Sequence, residues 1–525
     1  MAPAMHSSTS VVRTLLLVGC LSLAVPLPAQ ENGPFLNLTL ADFLRETVRV
    51  QPAVDEAYLQ WLIRYRLARS EWGSFEPALA GHFRRDSLTR ANTSLQQVLQ
   101  LGALEFFEIN DEYGLGLEGK LPGGGTYRFG GSVTRMENSY AEEGEFESFV
   151  GVSGEQPLLK GLTHGASVAP LRAARQERYI AFHEYRRQLM DTLLKAEQAY
   201  WNLAFAQSAL AMEKDSLQIA ANLARDAAAW VQGGKMSELD LQQAEAELAL
   251  RQARRADAGQ AVREAVTQLK LLMAGARLPE DLRIVAADPL VPDVPAVVDP
   301  EAERASSLQW ARRAQPDYMM RREQLRLDAV LLGYRKSQAL PDLVLKGSYG
   351  LRGLGESAEE SLGKLEGGRY PTWSLGLEMR APFLLGIRER NELEAARLKK
   401  RLAEVRLEAL EYEMCRSIEA LLGRVGTLRA RIESLRRMAA VKRRLLDVEL
   451  ARLEAGTSDM HLVYEAEEEL AESQRDVLQA IVRFRGALLD LAVSRGSVLL
   501  DQGLEHLEGE QVVLSDQLVY RRTAP

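Results

Sequence analysis

The sequence predicts a mainly α-helical chain with β-strands, in which one unit, a strand region followed by a long helical hairpin, occurs twice. The first observation is a near repeat: residues 227–248, AAAWVQGGKMSELDLQQAEAEL, return 222 residues later as ELARLEAGTSDMHLVYEAEEEL. The second is a pair of long stretches rich in Ala, Leu, Glu and Arg, about 169–231 and 391–455, with no proline after Pro170. The third is a period-two alternation of apolar and polar residues in the segments before them.

Each near repeat is typical of the tip of a helical hairpin. Gly234 and Gly456 are the turn residues, because glycine adopts the positive φ that ends a helix. Ser237 and Asp240 form an S-x-x-D pair that caps the returning helix, and Ser458 lies in the second turn. We therefore expect returning helices at about 237–273 and 459–492, with Leu421, Val425, Leu428, Ile432 and Leu435 forming a coiled-coil seam on the second long helix.

Proline spacing extends the duplication upstream. Pro52 and Pro77 are 25 residues apart, as are Pro316 and Pro341, and the two pairs are offset by 264 residues. A helical apolar pattern lies between the prolines of each pair and an alternating pattern follows the second proline. The sequence thus divides into a first repeat at 30–277, a Pro-rich linker at 278–300, a second repeat at 301–500 and a tail at 501–525.

The clearest strand is YPTWSLGLEMRAPFLLG at 370–386. Trp373, Leu375, Leu377 and Met379 share one face and polar residues share the other, over about ten residues, the length of a tilted membrane strand. A half-buried strand of a soluble sandwich is the alternative. A second alternation, around 113–135, has a turn at Pro122 and three glycines, and we expect this extra hairpin to lie outside the membrane.

One pair of strands in each repeat gives four barrel strands per chain. Four strands cannot close a barrel, and eight, from two chains, would be filled by their own side chains. Three chains give twelve strands around a lumen. If the protein is a conduit, this arithmetic favours a trimer, with four transmembrane strands per chain in a 12-stranded β-barrel next to the duplicated helical hairpins; the resemblance described below implies that those hairpins form an α-barrel.

The N-terminus predicts export. Arg13, the apolar run TLLLVGCLSLAV and Ala29 are typical of a secretory signal peptide at 1–29. Cleavage after Ala29 is favoured over a lipobox reading of LVGC, in which Cys20 would be lipidated. Cys415 is then the remaining cysteine, so no intramolecular disulfide is expected.

Composition argues against several function classes. A net charge of −8 gives no indication of a nucleic-acid partner. The histidines of the mature chain have neither an i, i+4 pair nor a cysteine at ligand spacing, and no G-x-S-x-G frame occurs. We expect no metal, no cofactor and no enzymatic activity.

Several motifs together resemble the TolC family of outer-membrane efflux proteins. They are the LTL start before Gln51-Pro52, QPLLKG at 156–161 with its counterpart APFLLG at 381–386, AYWNLAFAQ at 199–207, LPDLVLKGSYG at 340–350, and the two tip turns. The resemblance covers nearly the whole mature chain. It implies a homotrimer whose twelve-stranded barrel in the outer membrane continues into a helical tunnel through the periplasm. The periplasmic tip of such a duct opens when it docks to an inner-membrane transporter and its periplasmic adaptor.

The resemblance also implies acidic gate residues. The family often carries acids six and nine residues after the second tip glycine, positions that are Leu462 and Glu465 here, with Asp459 as a substitute. Asp240 holds the position six residues after the first tip glycine. Asp240, Asp459 and Glu465 are accordingly the candidate periplasmic gate or tip carboxylates, with solvated, capping helix ends as the alternative for each.

The leading hypothesis is a passive exit duct for small molecules or polypeptides that an inner-membrane pump supplies. A periplasmic coiled-coil structural or adaptor protein is the alternative, although it would need one hairpin and an N-terminal membrane anchor.

Overall fold

The computed structural model describes residues 35–99, 102, 104–139, 141–162, 164–234, 236–273, 279, 282–290, 300–382, 386–508 and 511–514. The predicted signal peptide 1–29, with Cys20 and Ala29, lies outside these residues. Among the described helices, none is both long and apolar enough to cross a membrane.

The first repeat contains β1 (Phe35–Leu38), α1 (Leu40–Val50), α2 (Pro52–Ser70), a 3-10 turn (Glu71–Phe75), β2 (Ala78–Ala91), α3 (Ser94–Leu99), β3 (Glu105–Lys120), β4 (Thr126–Asn138), β5 (Ala141–Pro157), α4 (His164–Ser167), α5 (Ala169–Gln232) and α6 (Glu238–Leu272). The rest of the chain contains β6 (Arg283–Ala286), α7 (Pro300–Ala314), α8 (Pro316–Gln338), β7 (Asp342–Gly355), α9 (Ala358–Glu366), β8 (Pro371–Arg380), α10 (Ile387–Glu454), α11 (Met460–Arg495), α12 (Val498–Asp501), β9 (Glu505–Glu508) and β10 (Gln511–Leu514).

The two long helices confirm the prediction from the proline-free stretches. Helix α5 has 64 residues and α10 has 68, so at 1.5 Å per residue each is about 100 Å long. Their return helices, α6 and α11, have 35 and 36 residues and pack against the tip-side parts of α5 and α10. Each long helix therefore extends well beyond its own return helix.

The proline pairs mark corresponding elements, as predicted. Pro52 and Pro316 open α2 and α8, where the missing N–H of proline costs no helical hydrogen bond. Strands β2 and β7 each begin one residue after the second proline of the pair. Helix α2 packs on α5, and α8 packs on both α5 and α10. These two shorter helices cover the parts of α5 and α10 that extend beyond the return helices.

One main core holds the helices of both repeats together. Its fully buried side chains include Leu189, Leu193 and Tyr200 of α5, Phe43 of α1, Ile418 of α10 and Phe484 of α11. Val425, Leu428 and Ile432 of the predicted seam are buried in the same core, with Leu421 and Leu435 packed at its edge. Because each helix is apolar on a stripe, burial of these stripes supplies the main stabilising free energy.

The Pro-rich linker is fixed to the first repeat at one point. Its strand β6 pairs in parallel with β1, from Phe35 with Arg283 to Leu38 with Ala286. Next to it, the Tyr200 hydroxyl donates to a carboxylate oxygen of Asp288 at 2.7 Å, and the same oxygen accepts the Leu40 N–H at 2.7 Å. The linker thereby caps the N-terminal end of α1.

The sheet differs from the prediction. A single antiparallel sheet has the strand order β2-β3-β4-β5-β7-β8, which is six strands per chain and not the four that the sequence predicted. The extra hairpin, β3–β4, which the sequence analysis placed outside the membrane, lies in this sheet between β2 and β5 and pairs with both strands, with one register shift between Met136 and Asn138 on the β5 side. The count of four took one strand pair from each repeat, whereas this hairpin occurs in the first repeat alone.

The second repeat places a short helix at the corresponding point. Helix α9 connects β7 and β8 and packs on β5 and β7. The Ser148 hydroxyl donates to the Ser361 carbonyl at 2.7 Å, and a Cβ on Gly353 would lie 2.0 Å from that carbonyl oxygen. The helix can approach the sheet this closely because residue 353 is glycine.

Candidate functional site at the hairpin tips

The first tip has the turn and cap that its sequence indicates. Gly234 has a φ of +69°, and its N–H donates to the Val231 carbonyl at 3.0 Å. The Asp240 N–H donates to the Ser237 hydroxyl oxygen at 3.3 Å, and the Ser237 N–H donates to the Asp240 carboxylate at 3.2 Å. This reciprocal capping box satisfies two amides that the helix leaves free and orients a carboxylate at the helix N-terminus.

The second tip uses a simpler cap. Gly456 has a φ of +72° at the end of α10. Asp459 is the N-cap of α11, and its carboxylate accepts the Leu462 N–H at 3.0 Å. Ser458 does not cap the helix, because its hydroxyl donates backwards to the Glu449 carboxylate at 2.7 Å.

A second apolar cluster joins the two tips. Its buried side chains come from all four hairpin helices: Leu223 and Ala227 of α5, Ala244 of α6, Leu446 and Leu453 of α10, and Met460, Val463, Ala466 and Leu470 of α11. The tips therefore lie side by side in one chain. Around the cluster, Asp240 is half-buried while Asp459 and Glu465 are exposed, so the carboxylates are placed for contact with solvent, ions or another protein.

Above this cluster lies a network of charges that the sequence did not indicate. Arg251 of α6 is 1% exposed, and its guanidinium nitrogens lie 2.6 Å from a Glu467 oxygen, 2.7 Å from Glu247 and 2.8 Å from Glu468. Arg254 also pairs with Glu468. The network therefore joins α6 of the first hairpin to α11 of the second.

The network extends to α5 on the other side of α11. The Ser216 hydroxyl donates to Glu467, and Arg475 of α11 pairs with Glu213 of α5 at 2.8 Å. Movement of one hairpin relative to the other must break or exchange these pairs. Arg and Glu on helices usually lie in solvent, so the sequence offered no sign that this set is buried.

The pKa values of the two neighbouring carboxyl groups in the network, Glu467 and Glu468, shift in opposite directions. Burial raises the pKa of Glu467, opposed by the Ser216 hydrogen bond and by Arg251. For Glu468, burial acts in the same direction, but Arg254 and Arg251 outweigh it and the pKa is lowered. Glu468 is thus the more firmly ionised of the two neighbouring carboxyl groups.

The described residues include no group of three or more His, Cys, Asp or Glu side chains arranged to hold a metal ion. The geometry at the tips is that of capped turns, apolar packing and ion pairs.

Comparison with known proteins shows which family and which solved structures this chain is similar to. Residues 317–497 match the family model described as outer membrane efflux protein. Among curated protein sequences, none matches the chain.

Solved structures share the fold at low sequence identity. The open-state MtrE outer membrane channel of Neisseria gonorrhoeae has a TM-score of 0.59 and 18% identity, over 87% of this chain and 88% of that one. The CmeC outer membrane channel of Campylobacter jejuni has a TM-score of 0.58 and 15% identity, over 93% and 92%. The outer membrane protein VceC of Vibrio cholerae has a TM-score of 0.57 and 16% identity, over 87% and 96%.

Two helical hairpins of this length, joined in one chain to an antiparallel sheet, are the architecture that this chain shares with these outer membrane channels. The family match makes residues 317–497 an outer membrane efflux protein domain, in agreement with the resemblance to the TolC family seen in the sequence, and the chain as a whole shares the fold of these channels.

Proposed function

We propose that the chain is the passive outer-membrane exit duct of a tripartite export system and that it works as a homotrimer. An inner-membrane pump supplies the cargo, a small molecule or a polypeptide, and a periplasmic adaptor joins pump and duct. The observation that carries this proposal is the union, in one chain, of a sheet with an exposed apolar face and helices about 100 Å long.

The sheet supports assembly with other copies. Its outer strands, β2 and β8, have one unpaired edge each in the order found for a single chain. Such edges pair readily with another strand, and a membrane wall leaves no backbone group unpaired. On the apolar face of β8, Trp373 is 71% exposed and Leu375 is 68% exposed, which suits contact with lipid and not with water.

The helices support a path across the periplasm. Because the bilayer with its headgroups is about 45 Å thick, α5 and α10 extend much further than any membrane requires. Their tips lie at the opposite end from the sheet, so we assign the tips to the pump side of the duct. Threefold symmetry would then place three copies of Asp240, Asp459 and Glu465 around one opening.

This ring of carboxylates is expected to favour cations and to respond to divalent ions. The test is the cation selectivity of single channels formed by Asp459→Ala/Glu465→Ala, two exposed positions. Glu472→Ala, which removes an exposed acid further along α11, is the matched control. We expect selectivity to fall in the double variant alone. Unchanged selectivity in the double variant would place the ring elsewhere.

Fractionation tests the duct against the periplasmic adaptor alternative. The mature protein is expected in the outer-membrane fraction, to require detergent for extraction, and to have a trimer's mass in light scattering. A monomer released by osmotic shock without detergent would favour the adaptor. Co-purification of an inner-membrane pump after cross-linking would identify the cargo class.

A further inference from the structure

We infer that the β3–β4 hairpin is part of the membrane wall, so that three copies close an eighteen-stranded barrel in place of a twelve-stranded one. The inference rests on the homotrimeric duct proposed above. It concerns what this chain adds to that duct: a wider opening at the cell surface.

The backbone pairing of the hairpin is that of strands within a continuous sheet and not of a hairpin that projects from it. Strands β2 and β3 pair at every position from Ala78 with Glu118 to Ala91 with Glu105. Strands β3 and β4 then pair continuously from Lys120 with Thr126 to Glu108 with Asn138. With 16 and 13 residues, both exceed the 9 to 11 that a tilted strand needs to span the membrane.

The apolar face of the sheet continues across the hairpin without interruption. One row of paired residues passes through all six strands in order: Leu79, Leu117, Phe129, Val152, Tyr349 and Trp373. Each of these six side chains is exposed, from 44% for Leu117 to 71% for Leu79 and Trp373. The hairpin and the strands predicted to lie in the membrane thus present the same lipid-compatible surface.

The opposite face is polar on the hairpin as well. Its charged residues pair across strands: Arg84 of β2 lies 3.1 Å from Glu112 of β3, and Arg128 of β4 lies 2.7 Å from Glu118 of β3. Lys346 of β7 and Glu378 of β8 pair in the same way at 2.7 Å. Within each of these pairs the two charges neutralise one another.

Above the apolar row the same face becomes polar. Arg85 of β2 and Asp111 of β3 form a two-point pair with both N–O distances at 2.6 Å. A lipid-facing band would end near this pair, which lies between β2 and the hairpin. The hairpin therefore contains both the band and its boundary.

Barrel diameter grows roughly in proportion to strand number, so eighteen strands give a lumen about 1.5 times as wide as twelve. Sixteen to eighteen strands suffice for an open aqueous channel. The wall in the outer membrane would then not restrict bulky cargo, and the tips would be the sole point of selection along the duct.

The experiment uses four single-cysteine variants in a Cys415→Ser background, treated with a membrane-impermeant maleimide in intact outer-membrane vesicles. Phe129→Cys and Trp373→Cys lie in one apolar row; Arg128→Cys and Ser374→Cys lie in the adjacent polar row. We expect position 129 to be protected like 373, at least tenfold below the labelling seen after detergent extraction. Position 128 should be labelled to the same extent as 374.

The pattern separates the two proposals. Labelling of position 129 with protection of 373 would place the hairpin outside the membrane and overturn the eighteen-stranded wall, while leaving the duct intact. Labelling of both 129 and 373 would contradict the duct itself. A strand count from electron cryo-microscopy of the detergent-extracted trimer provides the second measurement: eighteen supports the inference and twelve refutes it.

Discussion

The two repeats agree closely in their helices and differ in their strands. Helices α5 and α10 differ by four residues in length, and α6 and α11 by one. Between β2 and β5, however, the first repeat contains α3, β3 and β4, whereas between β7 and β8 the second repeat contains only α9. Long helices pack against neighbours along their whole length, so any change must be matched by several partners. A hairpin pairs only with the strands beside it and can be added locally.

The repeats also differ in the polar residues that they bury. Arg251 corresponds to Ser473 after the 222-residue offset, and His183 corresponds to Val405. Arg251 and His183 are buried in the first repeat, at 1% and 7% exposure, while Val405 is exposed. These two buried side chains of the first repeat therefore have no ionisable counterpart at the matching positions of the second repeat. Three sets of substitutions test these differences between the repeats.

The largest expected effect follows from Arg251→Ala. Removing this guanidinium leaves Glu467 buried without its main counterion, and breaking a buried pair costs about 3–5 kcal/mol. We expect that loss in the free energy of unfolding of the tip-side helices, with faster hydrogen exchange in both α6 and α11. The measurement is hydrogen exchange on the detergent-solubilised trimer across a denaturant series.

Two further variants control for that result. Arg254→Ala removes a less buried partner of Glu468, so its cost should stay below about 1 kcal/mol. Arg251→Met combined with Glu467→Leu removes both charges together and should recover much of the lost stability. Equal costs for Arg251→Ala and Arg254→Ala would show that burial of the network does not determine stability.

The second prediction concerns pH. Burial lowers the pKa of His183 to about 3, with Arg186 and Arg322 acting in the same direction. Between about pH 6.5 and 3 the unfolded chain binds a proton at this histidine while the folded chain does not. The stabilising contribution is therefore complete above about pH 6.5 and decreases as pH falls, by up to about 1.4 kcal/mol per pH unit.

His183→Gln should remove this part of the pH dependence, measured as the unfolding midpoint between pH 7 and pH 4. His461→Gln, at an exposed position of α11, should retain it. Identical slopes for the protein and both variants would exclude His183 as the source.

The smallest expected effects are at the caps. Asp459→Ala removes the N-cap of α11 and should cost about 1 kcal/mol in local helix stability. Asp240→Ala should cost less, because the Ser237 hydroxyl still accepts the N–H of residue 240. Hydrogen exchange at the first turns of α6 and α11 measures this. Asp240→Asn keeps an N3 side chain that can accept the hydrogen bond but removes the charge. If Asp240→Asn abolishes cation selectivity while helix stability is retained, the charge of Asp240 and not its hydrogen bond acts at the opening.

The helices were largely predictable because they begin and end at proline, glycine and capping residues, whose preferred backbone conformations are known. Pro316 opens α8, Gly456 closes α10, and the Ser237 cap restarts α6 where the sequence placed it. The strand number was not predictable by the same route. The prediction assumed that both repeats contain the same strands. The alternation of apolar and polar residues in β3 and β4 is the same for a strand of the main sheet and for a separate hairpin outside it.

The candidate site was predictable in part. Gly234 and Gly456 have the positive φ that their turns require, and Asp240 and Asp459 lie at helix N-termini. The assignment of these acids and Glu465 to a gate stays a prediction. The buried ion network was missed because the pattern of charges along α6 resembles a solvated face; only the neighbouring α11 reveals its burial.

The two inserted strands run in opposite directions, so β2 and β5 retain the directions that they would have if joined by a short loop. The chain consequently returns to the same side of the sheet after the insertion and enters α5 in the usual orientation. In the proposed trimer, one added hairpin per chain enlarges the circumference of the wall and leaves the helical tips unchanged. Width at one end of the duct and partner recognition at the other would then be separately adjustable traits.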